Sequence, residues 1–218
     1  MRILEAYVGE YASGKSENAV NRALVLAQGV KPVTLVDLDL VEPFYTLRPL
    51  KQQLESEGLT VIAWDTKETV GLGEAGIILK PEMRWALQRK GHVILDVGYG
   101  VSGSKIFNLL EGYAQSSLSV LAVINIARPL TATVADIIDY LQGFERIDGL
   151  INNSHLGSET DEEIIRQGVE VVAEVSARMG IPFVATAAEE RFRAQLGKYD
   201  QRGNPIRYLR RFMVDAFW

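Results

Sequence analysis

The chain has 218 residues, 47% of them hydrophobic and 23% charged, with a formal net charge of -5. That balance suits a folded α/β domain with a large core, and it excludes a disordered chain or one whose whole surface grips nucleic acid. Cysteine is absent, so no disulfide and no thiolate-ligated zinc or iron–sulfur cluster comes from this chain, and a reducing cytoplasm is the expected setting. No apolar run reaches the roughly 18 residues that cross a bilayer, and the opening MRILEAYVGE lacks a signal-peptide layout.

Apolar runs of strand length recur at Ile3–Val8, Val33–Asp37, Thr60–Trp64, His92–Val97, Ser119–Ile126, Gly149–Asn152 and Pro182–Thr186. They are nearly continuous in Val, Ile and Leu, as strands covered on both faces are. Helical segments separate them. One runs from Lys15 to Gln28 and stops at Gly29; a second runs from Pro81 to just before Gly91. A third opens on Thr160-Asp161-Glu162-Glu163, a capping-box pattern, and ends at Gly180-Ile181-Pro182. This alternation predicts a mostly parallel sheet of about seven strands with helices on both faces. The expected organisation is one domain over residues 1–190, with 191–218 as a basic and aromatic extension packed on it. Between Arg191 and Arg211 stand seven basic residues and a single acid, Asp200. Gly197–Pro205 reads as a loop or hairpin-like excursion, followed by an aromatic helix or strand from Tyr208 to Trp218. The basic stretch is either a solvated edge or a patch for an anionic partner.

The first strand runs into Gly9-Glu10-Tyr11-Ala12-Ser13-Gly14-Lys15-Ser16, and a helix follows at once. The spacing Gly-x-x-x-x-Gly-Lys-Ser is that of a phosphate-binding loop (Walker A). Its glycines let the backbone curl its N–H groups toward phosphate oxygens, Lys15 reaches the β and γ phosphates, and the Ser16 hydroxyl ligates magnesium. The helix adds its positive end. Gly9, Ala12, Ser13, Gly14, Lys15, Ser16 and the next residue, Glu17, are the expected nucleotide contacts. The second strand ends in Val36-Asp37-Leu38-Asp39. Alternation sends Asp37 and Asp39 to the same side, at the carboxyl end of a strand, where acids hold hydrated magnesium and orient a water. His92-Val93-Ile94-Leu95-Asp96-Val97-Gly98 matches the Walker B pattern, an acid for a magnesium-bound water and a glycine that approaches the γ phosphate.

Together these motifs resemble the MinD/ParA branch of the SIMIBI class of P-loop ATPases, which carries Val-Asp-x-Asp after its second strand. The resemblance implies a three-layer P-loop NTPase fold, ATP and Mg2+ as cofactors, Asp39 orienting the attacking water, and Asp37, Asp96 and Ser16 supporting the metal. The family's second lysine, just after the first glycine, is Glu10 here. A carboxylate does not stabilise phosphate charge as that lysine does, and two facing Glu10 side chains would repel triphosphates across a dimer. A homodimer is therefore expected to do without the family's lysine-bridged sandwich. Arg48 and Arg128 are alternative sources of positive charge, or else surface arginines.

For the base, Asn152-Asn153-Ser154-His155 lacks the Lys and Asp of a guanine-reading Asn-Lys-x-Asp motif. Asn152 or Asn153 is positioned to pair with adenine or, alternatively, to shape the turn. His92 and His155 have no third ligand at metal spacing and read as structural. Three functions follow. The first is a slow ATPase switch, an ATP hydrolase whose segments Leu40–Arg48 and Tyr99–Lys105 are read by a protein partner. The second is an ATP-dependent kinase or ligase of the dethiobiotin-synthetase type, with Glu42, Tyr45, Arg48 and Trp64 around its substrate. The third is a nucleotide-binding module without hydrolysis.

Overall fold

The computed structural model describes residues 1–39, 47–64 and 79–213. Eight strands, all parallel, follow the order β3-β2-β4-β1-β5-β6-β7-β8 in a three-layer α/β arrangement with helices on both faces. The chain divides into two compact units, Met1–Val8 with Ala19–Ser119, and Gly9–Asn18 with Val120–Trp218.

The first unit carries β1 (Leu4–Gly9), β2 (Val33–Leu38), β3 (Thr60–Ile62) and β4 (His92–Val97). Every residue of β1, β2 and β4 is buried, as the apolar runs require for strands covered on both faces. The register sets Val33 beside His92 and Asp37 beside Asp96 on β2 and β4, and Tyr7 beside Asp96 on β1 and β4. Polar groups at the margin of this core are satisfied locally. Glu5 receives Arg22 Nε and Nη2, both at 2.9 Å, together with the Tyr7 hydroxyl at 2.9 Å. His92 is structural, as expected, its Nδ1 accepting from the Ile3 amide at 3.0 Å. The helix expected from Pro81 is broken into an α turn, Pro81–Arg84, and a 3-10 turn, Ala86–Gln88, because Trp85 leaves helical geometry at φ -96, ψ 12.

The second unit carries β5 (Ser119–Ile124), β6 (Gly149–Asn152), β7 (Phe183–Glu189) and β8 (Ile206–Leu209). The first helix of the chain, α1 (Lys15–Ala27), begins in it. β8 is the strand beyond the seven expected. It lies in the basic stretch and pairs parallel with β7, Thr186 beside Ile206 and Glu189 beside Leu209. Gly197–Pro205 is hairpin-like as expected, with an antiparallel bridge between Tyr199 and Pro205. Asp200 organises it: one oxygen accepts from the amides of Arg202 and Asn204, the other from Thr186 Oγ1 at 2.7 Å on β7. The stretch is partnered by acids of its own unit, Arg191 with Glu189, Arg193 with Glu190 and Arg202 with Glu170, which argues for the solvated edge over the anion-binding patch. Residues 214–218 of the expected aromatic terminus lie outside the described residues. No helix among the described residues is long and apolar enough to cross a membrane.

The Glu162–Met179 helix is capped by Asp161, whose side chain accepts from the Ile164 amide, and not by Thr160. The Thr160 hydroxyl is used instead within the preceding turn, donating to Gly157 and accepting from the Leu156 amide. This helix buries Ile165, Gly168, Val169, Val172 and Val175, one stripe at helical spacing. At Gly168 the stripe meets the end of β6. A Cβ there would lie 2.1 Å from Ser154 Oγ and 2.3 Å from Asn152 Oδ1. Gly→Ala inside a helix ordinarily stabilises by roughly 0.5–1 kcal/mol. Here the overlap dominates, so Gly168→Ala should destabilise by about 1–3 kcal/mol in urea unfolding; a gain in stability would show that this contact is loose.

Candidate functional site

In the second unit β1 gives way to the Gly9–Ser16 loop. The Ser13 amide closes a turn on the Glu10 carbonyl at 3.2 Å, and the backbone is left-handed at Ala12 (φ 55) and Gly14 (φ 84). Left-handed residues in a short loop ahead of a helix curl main-chain N–H groups into an anion-binding shape. α1 then starts with the Asn18 amide on the Gly14 carbonyl at 3.0 Å, which the Asn18 side chain also reaches. Lys15 is buried in this turn at 7% exposure. Ser13 Oγ is buried with no hydrogen-bond partner among the described residues, a polar atom that suits an added anion.

Asn153 holds the loop from the end of β6. Its Nδ2 donates to the Ser13 carbonyl at 2.7 Å, and it fills the space beside Gly14, where a Cβ would approach it to 2.1 Å. Gly14 is thus required twice, for its positive φ and for this contact. Asn152 plays a different part. Its Nδ2 donates to the Ile165 carbonyl at 3.1 Å, and its Oδ1 accepts from the amide and hydroxyl of Ser154. With its amide consumed and its side chain fully buried, Asn152 shapes the turn and is removed from the expected base contacts.

Glu10 is not aimed outward. It is buried, and its carboxylate accepts from the Leu130 amide at 3.3 Å and the Thr131 hydroxyl at 3.1 Å. The carboxylate forms an internal clamp on the Pro129–Thr131 turn. Glu17, expected at the nucleotide, has its carboxylate bound by the amides of Phe212 and Met213. Arg128 is half-buried.

Beside the loop, and within the same unit, lies a pocket partly open to solvent. Gly14, Glu17 and Asn153 form the wall nearest the loop. Ile165, Ala187, Ala188 and Leu209 supply apolar surface, and Glu189, Thr160, His155 and Arg211 supply polar groups. A mostly apolar slot with a few convergent polar groups is what a planar heterocycle needs. None of the walls contributed by β7 and by the residues after β8 was singled out in the sequence. His155 reads as structural here too: its Nδ1 accepts from the Gly157 amide, and its main chain is bracketed by the Asn125 side chain.

In the first unit, Asp37 and Asp96 are side by side on β2 and β4 at 2% and 1% exposure. Asp37 Oδ1 accepts from the Asp39 amide at 3.0 Å. Gly98 approaches Asp39 so closely that a Cβ would lie 3.2 Å from Asp39 Oδ1. Two adjacent buried carboxylates suit a divalent cation. No group of three or more acidic, His or Cys side chains that could hold a metal ion exists among the described residues. Arg48 is buried at 9% exposure, not a surface arginine. Trp64 is half-buried with Lys80 Nζ 4.7 Å from its ring centre. Glu42, Tyr45 and residues 40–46 of the expected switch lie outside the described residues; the Tyr99–Lys105 segment forms a short helix, Gly100–Ser104.

No protein-family model matches the sequence, and no curated protein is similar to it. Solved structures are similar in fold. The signal recognition particle receptor FtsY from Elizabethkingia anophelis, in complex with GDP, is 16% identical with a TM-score of 0.60, over 87% of this chain and 58% of that one. FlhF complexed with GMPPNP and Mg2+ is 15% identical with a TM-score of 0.53, over 84% and 65%. A nucleotide-binding protein from Archaeoglobus fulgidus in complex with ADP is 13% identical with a TM-score of 0.51, over 85% and 81%. The chain thus spans less than two thirds of the FtsY and FlhF chains. These likenesses show the fold, the three-layer α/β fold of the P-loop NTPases.

Burial, reinforced by the charges of Arg128 and Arg211, pushes the His155 pKa down to about 4 from 6.5. The unfolded chain then takes up a proton below about pH 6.5 that the folded chain refuses until about pH 4, so stability falls as pH falls through that window. The expected slope is up to about 1.4 kcal/mol per pH unit. Urea unfolding of wild type and His155→Gln at pH 7.5, 6 and 5 should show a flatter acid limb in the variant; parallel limbs would show that His155 titrates normally.

Proposed function

We propose that this chain is a Mg-ATP-binding P-loop NTPase, a slow ATP hydrolase working as a cytoplasmic switch on a protein partner. One observation carries the reading. The loop curled at Ala12 and Gly14 and the pocket beginning at Gly14 and Asn153 belong to a single unit, so a phosphate cradle opens directly into a slot for a base. In this reading Gly9, Ala12, Ser13 and Gly14 wrap the phosphates, Lys15 neutralises the β and γ groups, and Asn153 meets adenine with the amide that also steadies the loop. Ser16, Asp37 and Asp96 hold magnesium by their place in the motifs. Asp39 orients the attacking water, and Gly98 brings its amide to the γ phosphate. The clamp on Glu10 supports a protein whose oligomeric state does not rest on a lysine crossing between nucleotides.

A guanine nucleotide is the second reading. The Glu189 carboxylate lines the pocket, and a carboxylate accepts from the ring N–H and amino group of guanine. FtsY with GDP and FlhF with GMPPNP lend it weight, and the Archaeoglobus protein with ADP lends weight to adenine. Calorimetry with Mg-ATP and Mg-GTP separates them: tighter binding of ATP is expected, and tighter GTP would move base recognition to Glu189. In the same experiment Lys15→Ala should weaken binding by about a hundredfold or more while the protein stays folded, because the lysine serves phosphates and not the core. Equal affinity in variant and wild type would end the phosphate-loop reading.

Hydrolysis has its own test. Asp39→Asn should bind Mg-ATP nearly as wild type does and turn it over about a hundredfold more slowly, since an amide neither orients nor activates water as a carboxylate does. Unchanged turnover would return Asp39 to a structural role.

A further inference from the structure

Glu17 stands one residue past the loop, in the first turn of α1, and is buried. Its carboxylate accepts from the Phe212 amide at 2.9 and 3.1 Å and from the Met213 amide at 2.7 Å. Those amides belong to the segment that leaves β8, and Leu209 and Arg211 of the same segment line the pocket with Gly14 and Asn153. One side chain thus ties the phosphate-loop helix to a wall of the pocket contributed from 195 residues further along the chain.

The chemistry of the contact is main-chain to carboxylate. Burial pushes the Glu17 pKa up, and the amides of Met213 and Phe212 and the charge of Arg211 pull it back. A carboxylate this deep is costly unless N–H donors surround it, so the glutamate needs the segment as much as the segment needs the glutamate. The side chains of residues 212 and 213 do not enter the bond, which leaves the backbone N–H groups as the elements to test.

We propose that Glu17 is a positioning residue for base recognition, a clasp that holds Leu209–Met213 as the closing wall of the pocket without itself touching the nucleotide. The inference rests on the nucleotide reading above and assigns the C-terminal segment a part in it. Because coupling between sites is reciprocal, a bound nucleotide tightens the clasp, and the clasp strengthens binding through the base and not through the phosphates.

The test uses the 218-residue chain and two Mg-bound probes in calorimetry: whichever of ADP or GDP wild type binds more tightly, and inorganic tripolyphosphate. Glu17→Ala removes the acceptor, and Met213→Pro removes a donor. Each should weaken the nucleoside diphosphate about tenfold and leave tripolyphosphate unchanged. The double variant should be little worse than either single one, as expected for two halves of one contact. Phe212→Pro replaces Met213→Pro should the latter fail to fold. In hydrogen exchange, the Phe212 and Met213 amides should be protected in wild type, more so with nucleotide, and exposed in Glu17→Ala. Weakening by Glu17→Ala without weakening by the proline variants would overturn the clasp in favour of direct contact. A parallel loss of tripolyphosphate would make Glu17 a support of the loop alone, and wild-type affinity in every variant would also overturn the proposal. A wild-type chain that binds no nucleoside diphosphate while its amides stay protected has a different signature, and it would sink the nucleotide reading and this inference with it.

Discussion

The contact between Asn153 and the turn Ser13-Gly14 constrains the whole second unit. It asks for a residue without a Cβ at a left-handed position, for a side-chain amide to fill the space left, and for that amide to arrive from the end of β6. Each requirement fixes a neighbour. The Asn153 amide N–H pairs with the Ile124 carbonyl of β5 at 2.7 Å, and Asn152 beside it is pinned to Ile165 and Ser154. Gly168 must stay small so that its helix can lie against that pair. The curled form of the loop is held by these contacts within the protein, and a loop fixed by its own packing spends less of a ligand's binding energy on ordering the chain.

The first unit solves a different problem. Parallel pairing of β2 with β4 sets Asp37 beside Asp96 with almost no exposure to water. Two like charges in that position are unfavourable unless a cation or protons offset them. A fold optimised for stability alone would place apolar residues there, as it does at every other register pair from Val33 to Leu38 apart from Thr34 and His92. Local rules broken within an otherwise consistent core mark a site with a task.

Much of this was legible in the sequence because it depends on local pattern. Strand-length runs rich in apolar residues gave away β1, β2 and β4, and Gly-x-x-x-x-Gly-Lys-Ser announced the loop and α1 in one stroke. What stayed hidden depends on partners far along the chain. Ile206-Arg207-Tyr208-Leu209 is too short and too basic to read as a parallel strand, and it becomes one by pairing with β7. Thr160 and Asp161 are equally good caps by composition, and only the geometry of the preceding turn assigns the role to Asp161. Asn152 and Asn153 differ by one position, so alternation sends one side chain into the core and leaves the other beside the loop. Arg48 carries a charge that suggests the surface, and its burial comes from tertiary packing that no short window of sequence contains.

The two glutamates that flank the loop show how an acidic chain can still leave positive potential there. Glu10 and Glu17 bracket Lys15 in sequence, and as free carboxylates they would offset its charge. Neither is free. Glu10 is held by the Leu130 amide and the Thr131 hydroxyl, Glu17 by two amides of the C-terminal segment. Hydrogen-bond donors draw negative charge toward themselves, so each carboxylate spends its field on its own clamp. The same bonds place structure where it is useful, Glu10 fixing the turn after β5 and Glu17 the segment after β8. Position 10 is thus occupied by an acid that faces its own fold, and positive potential at the loop is left to Lys15, to the helix terminus and to Arg211 at the pocket wall.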